Sequence, residues 1–325
     1  MAQRGANWHF GRAAAIKFTN PGNTTITGSA INTAEGCATM SDDNGNLLFY
    51  TDGVTVWNKN NAIMANGTGL RGNNSSAQSS IVVPEPGNNF RYYIFTSVQV
   101  EAPLNEKQYC WNIVDMRLGG GLGAVVVKNI IFDSLCSERL TVANHANGTD
   151  YWVLTNTLRT NTFKAYLLTA SGLSTQPIIS NTGLVNNQPL GMMKVSNDGQ
   201  WLVQTGFLSA AGSALVQLFR FNNLTGRLSN PIQLNTPNGF NCAYGCAFSP
   251  NSNRVYIGCT NPNNGFLQFT IGTGVDSSVN RSRVWLNANT PIAARGFGDF
   301  STAIDGRLYI AREDSRRISA ISNPN

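Results

Sequence analysis

The sequence predicts an all-β fold, a ring of seven small antiparallel sheets forming a seven-bladed β-propeller, in one domain over residues 1–325. Three observations carry that expectation. Helical periodicity is nearly absent, while short runs rich in β-branched and aromatic residues alternate with clusters of Gly, Asn, Pro and Asp. One unit returns at a period of roughly fifty residues, in the range of propeller blades rather than helical solenoids. The two ends of the chain carry fragments of the same unit.

Taken from the N-terminus, NWHFG (7–11) reads as the second strand of a blade. AIKFTNPGNTTITGSAI (15–31) supplies a third strand, a polar turn and a fourth, with the rhythm of LFRFNNLTGRLSNPIQL (218–234). A second strand after a polar turn then recurs as NGNLLFYTDG (44–53), NNFRYYIFTS (88–97), NGTDYWVLTN (147–156), NDGQWLVQTG (197–206), NSNRVYIGCT (251–260) and IDGRLYIARE (304–313). First strands of small and apolar residues precede the turns, as in GMMKVS (191–196), YGCAFS (244–249) and GDFSTA (298–303). Third strands follow, as in ALVQLFRF (214–221) and GFLQFTI (265–271), and RLSNPIQL (227–234) gives a fourth. RLYIARE and RISAIS (317–322) are a second and a third strand with no fourth behind them. Six post-turn strands and NWHFG make seven blades, the ring closing where the termini meet. The closing blade then takes residues 7–31 and lacks its innermost strand. An unpaired edge displays free N–H and C=O groups, so a strand lent by another chain, a tail outside this sequence or a tolerated short blade are the three expectations for it. Two β-sandwich domains are the competing architecture; the even spacing and the lack of a Pro/Gly-rich linker argue against them.

The stretch SDDNGNLLFYTDG (41–53) poses the question of a metal loop. An EF-type calcium loop needs Gly at its sixth position and a distal Glu, whereas Gly45 follows Asp42 by three residues and no such Glu comes after. Asn44-Gly45, Asp198-Gly199 and Asp305-Gly306 occupy one place in the repeat, and Asx-Gly before alternating apolar residues is a hairpin signal, read here as a tight primed turn.

Composition narrows the function. Charged residues are 12% of the chain and the net charge of +6 is scattered. No basic stripe with interleaved aromatics appears, so nucleic-acid binding is not expected. No apolar stretch of about 18 residues exists to span a bilayer. MAQRGANWHFGR lacks the apolar core of a secretion signal, which fits either a protein not exported by that route or a mature form. Cys37, Cys110, Cys136, Cys242, Cys246 and Cys259 form no CxxC pair and read as buried thiols, one unassigned disulfide remaining open. No metal site or cofactor is expected. The sequence has no G-x-S-x-G elbow, HExxH or Walker loop, and GGGLG (119–123) leads into a strand, so it is a loop and not a phosphate cradle. His145, before a hairpin turn, and His9, beside Trp8 and Phe10 on a strand, are the only histidines. Candidate ligand-binding residues are Asp52 in YTDG, Trp57 with Asn58 in VTVWNKNN as a sugar-stacking platform, His145, and Asp299 in GFGDF at the head of an innermost strand. The plainer role of Asp52 is to cap its own turn.

Residues 35–87, with the pattern LLFYTDG…VWN…M.NG…SS.QS, together with NWHFG, resemble the N-terminal propeller of large surface or secreted proteins of gliding Bacteroidetes. The likeness continues through 150–169, 218–232, 248–258 and 305–325. It implies a seven-bladed propeller with an extracellular or surface role and no catalytic activity. Members of that family continue past the NPN motif and carry sorting signals, whereas this sequence stops at Asn325. A bare propeller of this type suggests a component of an assembly, such as a phage virion or tail. The expected function is a structural or adhesive module whose partners are other protein chains, with strand donation to the closing blade as one mode of contact. The alternatives are a glycan-binding lectin and a polysaccharide hydrolase or lyase using channel carboxylates.

Overall fold

The computed structural model describes residues 3–19, 22–99, 101–188, 190–207, 214–261, 265–272, 274–286 and 296–325. Seven antiparallel sheets follow one another along the chain and stand as blades in a ring. Blade 1 holds β1 (Asn7–Phe10), β2 (Ala14–Phe18) and β3 (Asn23–Ile26). Blade 2 holds β4 (Ala38–Ser41), β5 (Leu47–Thr51) and β6 (Val56–Asn58). Blade 3 is β7 (Ser80–Pro84), β8 (Arg91–Ser97), β9 (Gln108–Asp115) and β10 (Ala124–Ser134). Blade 4 is β11 (Cys136–Asn144), β12 (Tyr151–Thr157), β13 (Thr162–Thr169), β14 (Gly172–Leu173) and β15 (Ile178–Asn181). Blade 5 is β16 (Met193–Val195), β17 (Trp201–Gly206), β18 (Leu215–Asn222) and β19 (Arg227–Gln233). Blade 6 is β20 (Ala243–Phe248), β21 (Arg254–Cys259), β22 (Phe266–Thr270) and, after the short helix α1 (Asp276–Arg281), β23 (Val284–Leu286). Blade 7 is β24 (Phe297–Thr302), β25 (Leu308–Arg312) and β26 (Ser319–Ile321).

The blades hold three to five strands instead of a uniform four. In blade 2 the chain beyond β6 makes single bridges, Ile63 to Trp57 and Ala65 to Ala124 of blade 3, in place of a fourth strand. The hairpin turns also differ from the expected primed type. At 42–45, 145–148, 196–199, 249–252 and 303–306 the N–H of the last residue bonds to the C=O of the first. Only that last residue, Gly45, Gly148, Gly199, Ser252 or Gly306, has positive φ. This is a type I turn followed by one left-handed residue, which explains why a single glycine suffices and why Ser252 can replace it. The Asx side chains cap instead: Asp42 Oδ1 accepts from the N–H of Asn44 and Asn46, and Asp198 Oδ1 from that of Gln200.

The disulfide that the sequence leaves open is present. Cys242 and Cys259 are joined as a disulfide, with Cα atoms 4.8 Å apart. They flank the β20–β21 ladder, where Ala243 sits opposite Cys259; the spacing of 17 residues gives no hint of this before the hairpin is built. Cys37, Cys110, Cys136 and Cys246 remain free thiols.

Aromatic side chains fill the gaps between blades. Phe49 meets Tyr92 between blades 2 and 3, Phe163 meets Phe219 between blades 4 and 5, and Phe266 meets Phe297 between blades 6 and 7. Blades 7 and 1 close the ring in the same way. Tyr309 packs 4.9 Å from Phe18 and 5.8 Å from Trp8, its hydroxyl accepts from Asn23 Nδ2, and Ile304 and Ile318 join the cluster. Blade 1 meets blade 2 through His9, stacked on Tyr50 at 4.0 Å, and through Asn7, whose Nδ2 donates to Gly45 C=O. Phe18 is 1% exposed, so Phe18→Ala should cost about 3–5 kcal/mol. Urea unfolding followed by tryptophan fluorescence measures this; a loss under 1 kcal/mol would mean that the two terminal blades are not in contact.

Candidate functional site

The innermost strands β4, β7, β11, β16, β20 and β24 surround the ring axis. They crowd there: a Cβ on Gly245 of β20 would lie 2.0 Å from Gly298 C=O of β24. Several of these strands are bulged at the same level. The ladder slips between Cys136 and Leu140 in β11, between Ala243 and Cys246 in β20, and between Phe297 and Phe300 in β24. A bulge re-aims side chains, and the bulged residues are Glu138 (φ 62°), Tyr244 and Asp299.

At the end of the axis where these strands begin, two loops form a plug. Glu35 N–H bonds to Asn74 C=O and Gly36 N–H to Ser76 C=O, tying the loop before β4 to the loop before β7. The fit is tight, since a Cβ on Gly36 would lie 2.2 Å from Ser79 N. The plug residues are the SSAQSS segment of the sequence pattern. Ala77 N–H donates to Glu138 Oε2 of blade 4 at 2.8 Å. Gln78 reaches two further blades: its Oε1 accepts from Leu140 N–H and Met193 N–H, and its Nε2 donates to Met193 C=O. Beside it the fully buried Arg139 gives its guanidinium to the carbonyls of Thr205, Gln188 and Leu190.

Several side chains at the plug, Ser80, Glu35 and Tyr244 among them, hold an enclosed polar atom without a bond of normal geometry. Glu35 Oε2 and Tyr244 OH are both enclosed, and the Tyr244 hydroxyl is close enough to the Glu35 carboxyl to favour its ionised form. Burial pushes the Glu35 carboxyl up to about 7, with the Glu101 carboxylate adding to the effect and the Tyr244 hydroxyl opposing it. Burial, and then the surrounding carboxylates, hold the Tyr244 phenol firmly protonated. Burial likewise pushes the Cys37 and Cys246 thiols up to about 12, so neither supplies a thiolate nucleophile.

The sequence-derived candidates fall in three separate places. Asp299 lies in the innermost strand β24, and Lys194 of blade 5 reaches past blade 6 to bond its Oδ1 at 2.6 Å. Asp52, Trp57 and Asn58 lie in blade 2. Asp52 Oδ1 accepts from the N–H of Val54 and Thr55, and Asn58 Oδ1 from those of Asn60 and Ala62, so both act as turn caps. Trp57 has one face stacked on Tyr50, 5.5 Å away. His145 lies in the blade 4 hairpin, where Nδ1 accepts from Asn147 N–H and Nε2 meets Leu224 C=O of blade 5. Next to it a polar cleft of about 190 Å³ opens between blades 4 and 5, lined by Asn144, Ser196, Asn197, Asp198 and Asn223. Among the described residues no group of three or more metal-ligating side chains converges.

A sevenfold ring with a plugged, polar axis defines the molecule as a β-propeller. Solved propellers share the architecture. The hydrazine synthase of Kuenenia stuttgartiensis superposes with a TM-score of 0.55 at 10% identity, over 95% of this chain and 89% of that one. A candidate 6-phosphogluconolactonase from Bacteroides uniformis gives 0.54 at 10% identity, over 94% and 86%. At such identity the likeness is one of fold alone. No family model and no curated protein matches the chain.

Gln78 carries the plug. Gln78→Ala would leave two backbone N–H groups and one C=O without partners, at ~1–3 kcal/mol each, and should lower stability by about 3 kcal/mol or more. Calorimetry checks this; a variant melting within 2 °C of the parent would show that the plug contributes nothing.

Proposed function

We propose that the protein is a non-catalytic interaction module in a surface or virion assembly, which engages its partner by accepting a strand at the inner edge of blade 1. The observation that carries the reading is the position of β1. Residues 3–7 lie against the blade 2 turn, where other blades place the hairpin before their second strand: Gln3 N–H bonds to Asp43 C=O and Ser41 N–H to Arg4 C=O. β1 pairs with β2 on one side, and among the described residues no strand pairs with its other edge. The bond from Phe18 N–H to Ala6 C=O sets the alternation, so that the backbone groups of Asn7 and His9 turn toward the free edge. Among the described residues only His9 N–H is met there, by Thr39 Oγ1 of blade 2. Ser301 on the adjoining innermost strand β24 is exposed, as a strand bordering an open slot would be. Such an edge is a template for β-augmentation. The strand that fits is short, with small and apolar residues, like the innermost strands of the other six blades.

The polar candidates support the non-catalytic side of the reading, since Asp52 is spent on backbone amides and Asp299 on Lys194. The Cys242–Cys259 disulfide supports an oxidising, extracellular setting. A synthetic peptide of residues 297–303, the protein's own innermost-strand pattern, serves as the probe. Added at millimolar concentration, it should raise amide protection at residues 7–11 about tenfold; unchanged protection would overturn the strand-accepting role. The compartment has its own check. Protein isolated without reductant and unfolded in denaturant should show four titratable thiols, and six after reduction. Six at the outset would count against an oxidising environment.

A further inference from the structure

The cleft between blades 4 and 5 is a feature that the strand-accepting role does not use. Its floor is apolar. Val142, near the end of β11, and Val195, the last residue of β16, are half-buried there, each at the margin of a hydrophobic cluster. Its rim is three amides and a carboxylate, from Asn144, Asn197, Asn223 and Asp198.

The rim is held in place by bonds that leave part of its capacity unused. Asp198 Oδ1 accepts from Ser196 Oγ at 2.5 Å and from Gln200 N–H at 3.1 Å, which fixes the carboxylate while Oδ2 stays unbonded among the described residues. Asn197 Nδ2 donates to Pro250 C=O of blade 6, and its Oδ1 is left over. Asn223 is anchored through its own carbonyl, which accepts from Trp152 Nε1 and Ala146 N–H. Its amide lies against Gly199, where a Cβ would come 2.6 Å from Nδ2. Among the described residues the side-chain amides of Asn144 and Asn223 have no hydrogen bond. His145, behind the cleft, has both ring nitrogens engaged elsewhere.

This inventory selects a ligand. The two free amides offer N–H donors, and Asp198 Oδ2 and Asn197 Oδ1 offer acceptors. No Lys or Arg lines the cleft, so an anion such as phosphate would meet Asp198 with nothing to neutralise it. Among the described residues no group of three metal-ligating side chains converges, so a bare cation lacks its ligands. A sugar hydroxyl both donates and accepts, so neighbouring hydroxyls can bridge a carboxylate and an amide, while the C–H face of the ring covers the two valines. A cleft of about 190 Å³ takes one such ring and leaves the rest of a glycan chain in solvent.

We propose that the cleft between blades 4 and 5 binds one neutral sugar residue, with Asp198 and Asn223 fixing adjacent hydroxyls, Asn144 closing the rim, and Val142 and Val195 lying under the ring.

Saturation-transfer NMR on the full chain, with the methyl glycosides of glucose, galactose, mannose and N-acetylglucosamine as probes, tests the site. At least one glycoside should bind saturably at millimolar concentration, and inorganic phosphate should not displace it. Asn144→Ala and Asn223→Ala remove amides that bond to nothing within the fold, so each should melt with the parent while weakening the sugar about tenfold, the loss of roughly one or two hydrogen bonds. Either variant alone suffices if the other does not fold. Trp57→Ala, in blade 2, should leave binding unchanged. Saturable binding by none of the four glycosides, displacement by phosphate, full affinity in a folded Asn variant, or loss of binding in Trp57→Ala would each overturn the assignment. None of these readouts involves the blade 1 edge, so their failure leaves the strand-accepting role standing.

Discussion

The contact of Tyr309 with Phe18 and Trp8 is the constraint from which the rest of the structure follows. Sheets that twist and stack side by side form a ring only if the last meets the first, and here the two sheets come from opposite ends of the chain. Once that contact is made, each blade has a neighbour on both sides, and the aromatic residues of the second and third strands have somewhere to be buried. Closure also dictates what happens at the centre. Six innermost strands are drawn to one axis, close enough that glycine is required where β20 passes β24. The seventh position is left to side chains and loops.

The axis is accordingly a polar interior built from long side chains rather than a hydrophobic one. Gln78, Glu138, Arg139 and Lys194 each bond to a blade or loop other than their own, and most of their capacity is spent on backbone groups. In a medium of low polarity such networks are worth most when complete. Glu35 Oε2 and Tyr244 OH are among the enclosed atoms this network does not reach, as are Ser80 Oγ and Gln204 Oε1.

Much of the architecture was legible in the sequence because it is local. A polar turn before a run of alternating apolar residues marks six hairpins, most of them with a glycine after an Asx residue, and NWHFG supplies the seventh blade. The turn type was less legible, since Asn44-Gly45 serves a primed turn and a type I turn with a left-handed third residue equally well; only the bond from Gly45 N–H to Asp42 C=O separates them. The central cluster could not be read at all. Glu35, Gln78, Glu138 and Tyr244 come from four blades, and the bulges that aim three innermost-strand side chains inward leave no trace in periodicity. The SSAQSS segment was visible as part of a family-like pattern, but nothing local says that Gln78 leaves its own blade. Asp299 could be assigned to an innermost strand because the rank of GDFSTA in the repeat was already legible.

Gln78 and Lys194 join blades that are not adjacent. In a ring bound only by neighbouring contacts, one blade could detach while the others persisted, as in linear repeat arrays. A tie from the blade 2–3 loop to blades 4 and 5, and another from blade 5 to blade 7, makes such piecemeal fraying costly. The whole wheel then melts as a single cooperative unit, and a protease would find no half-open form to cut.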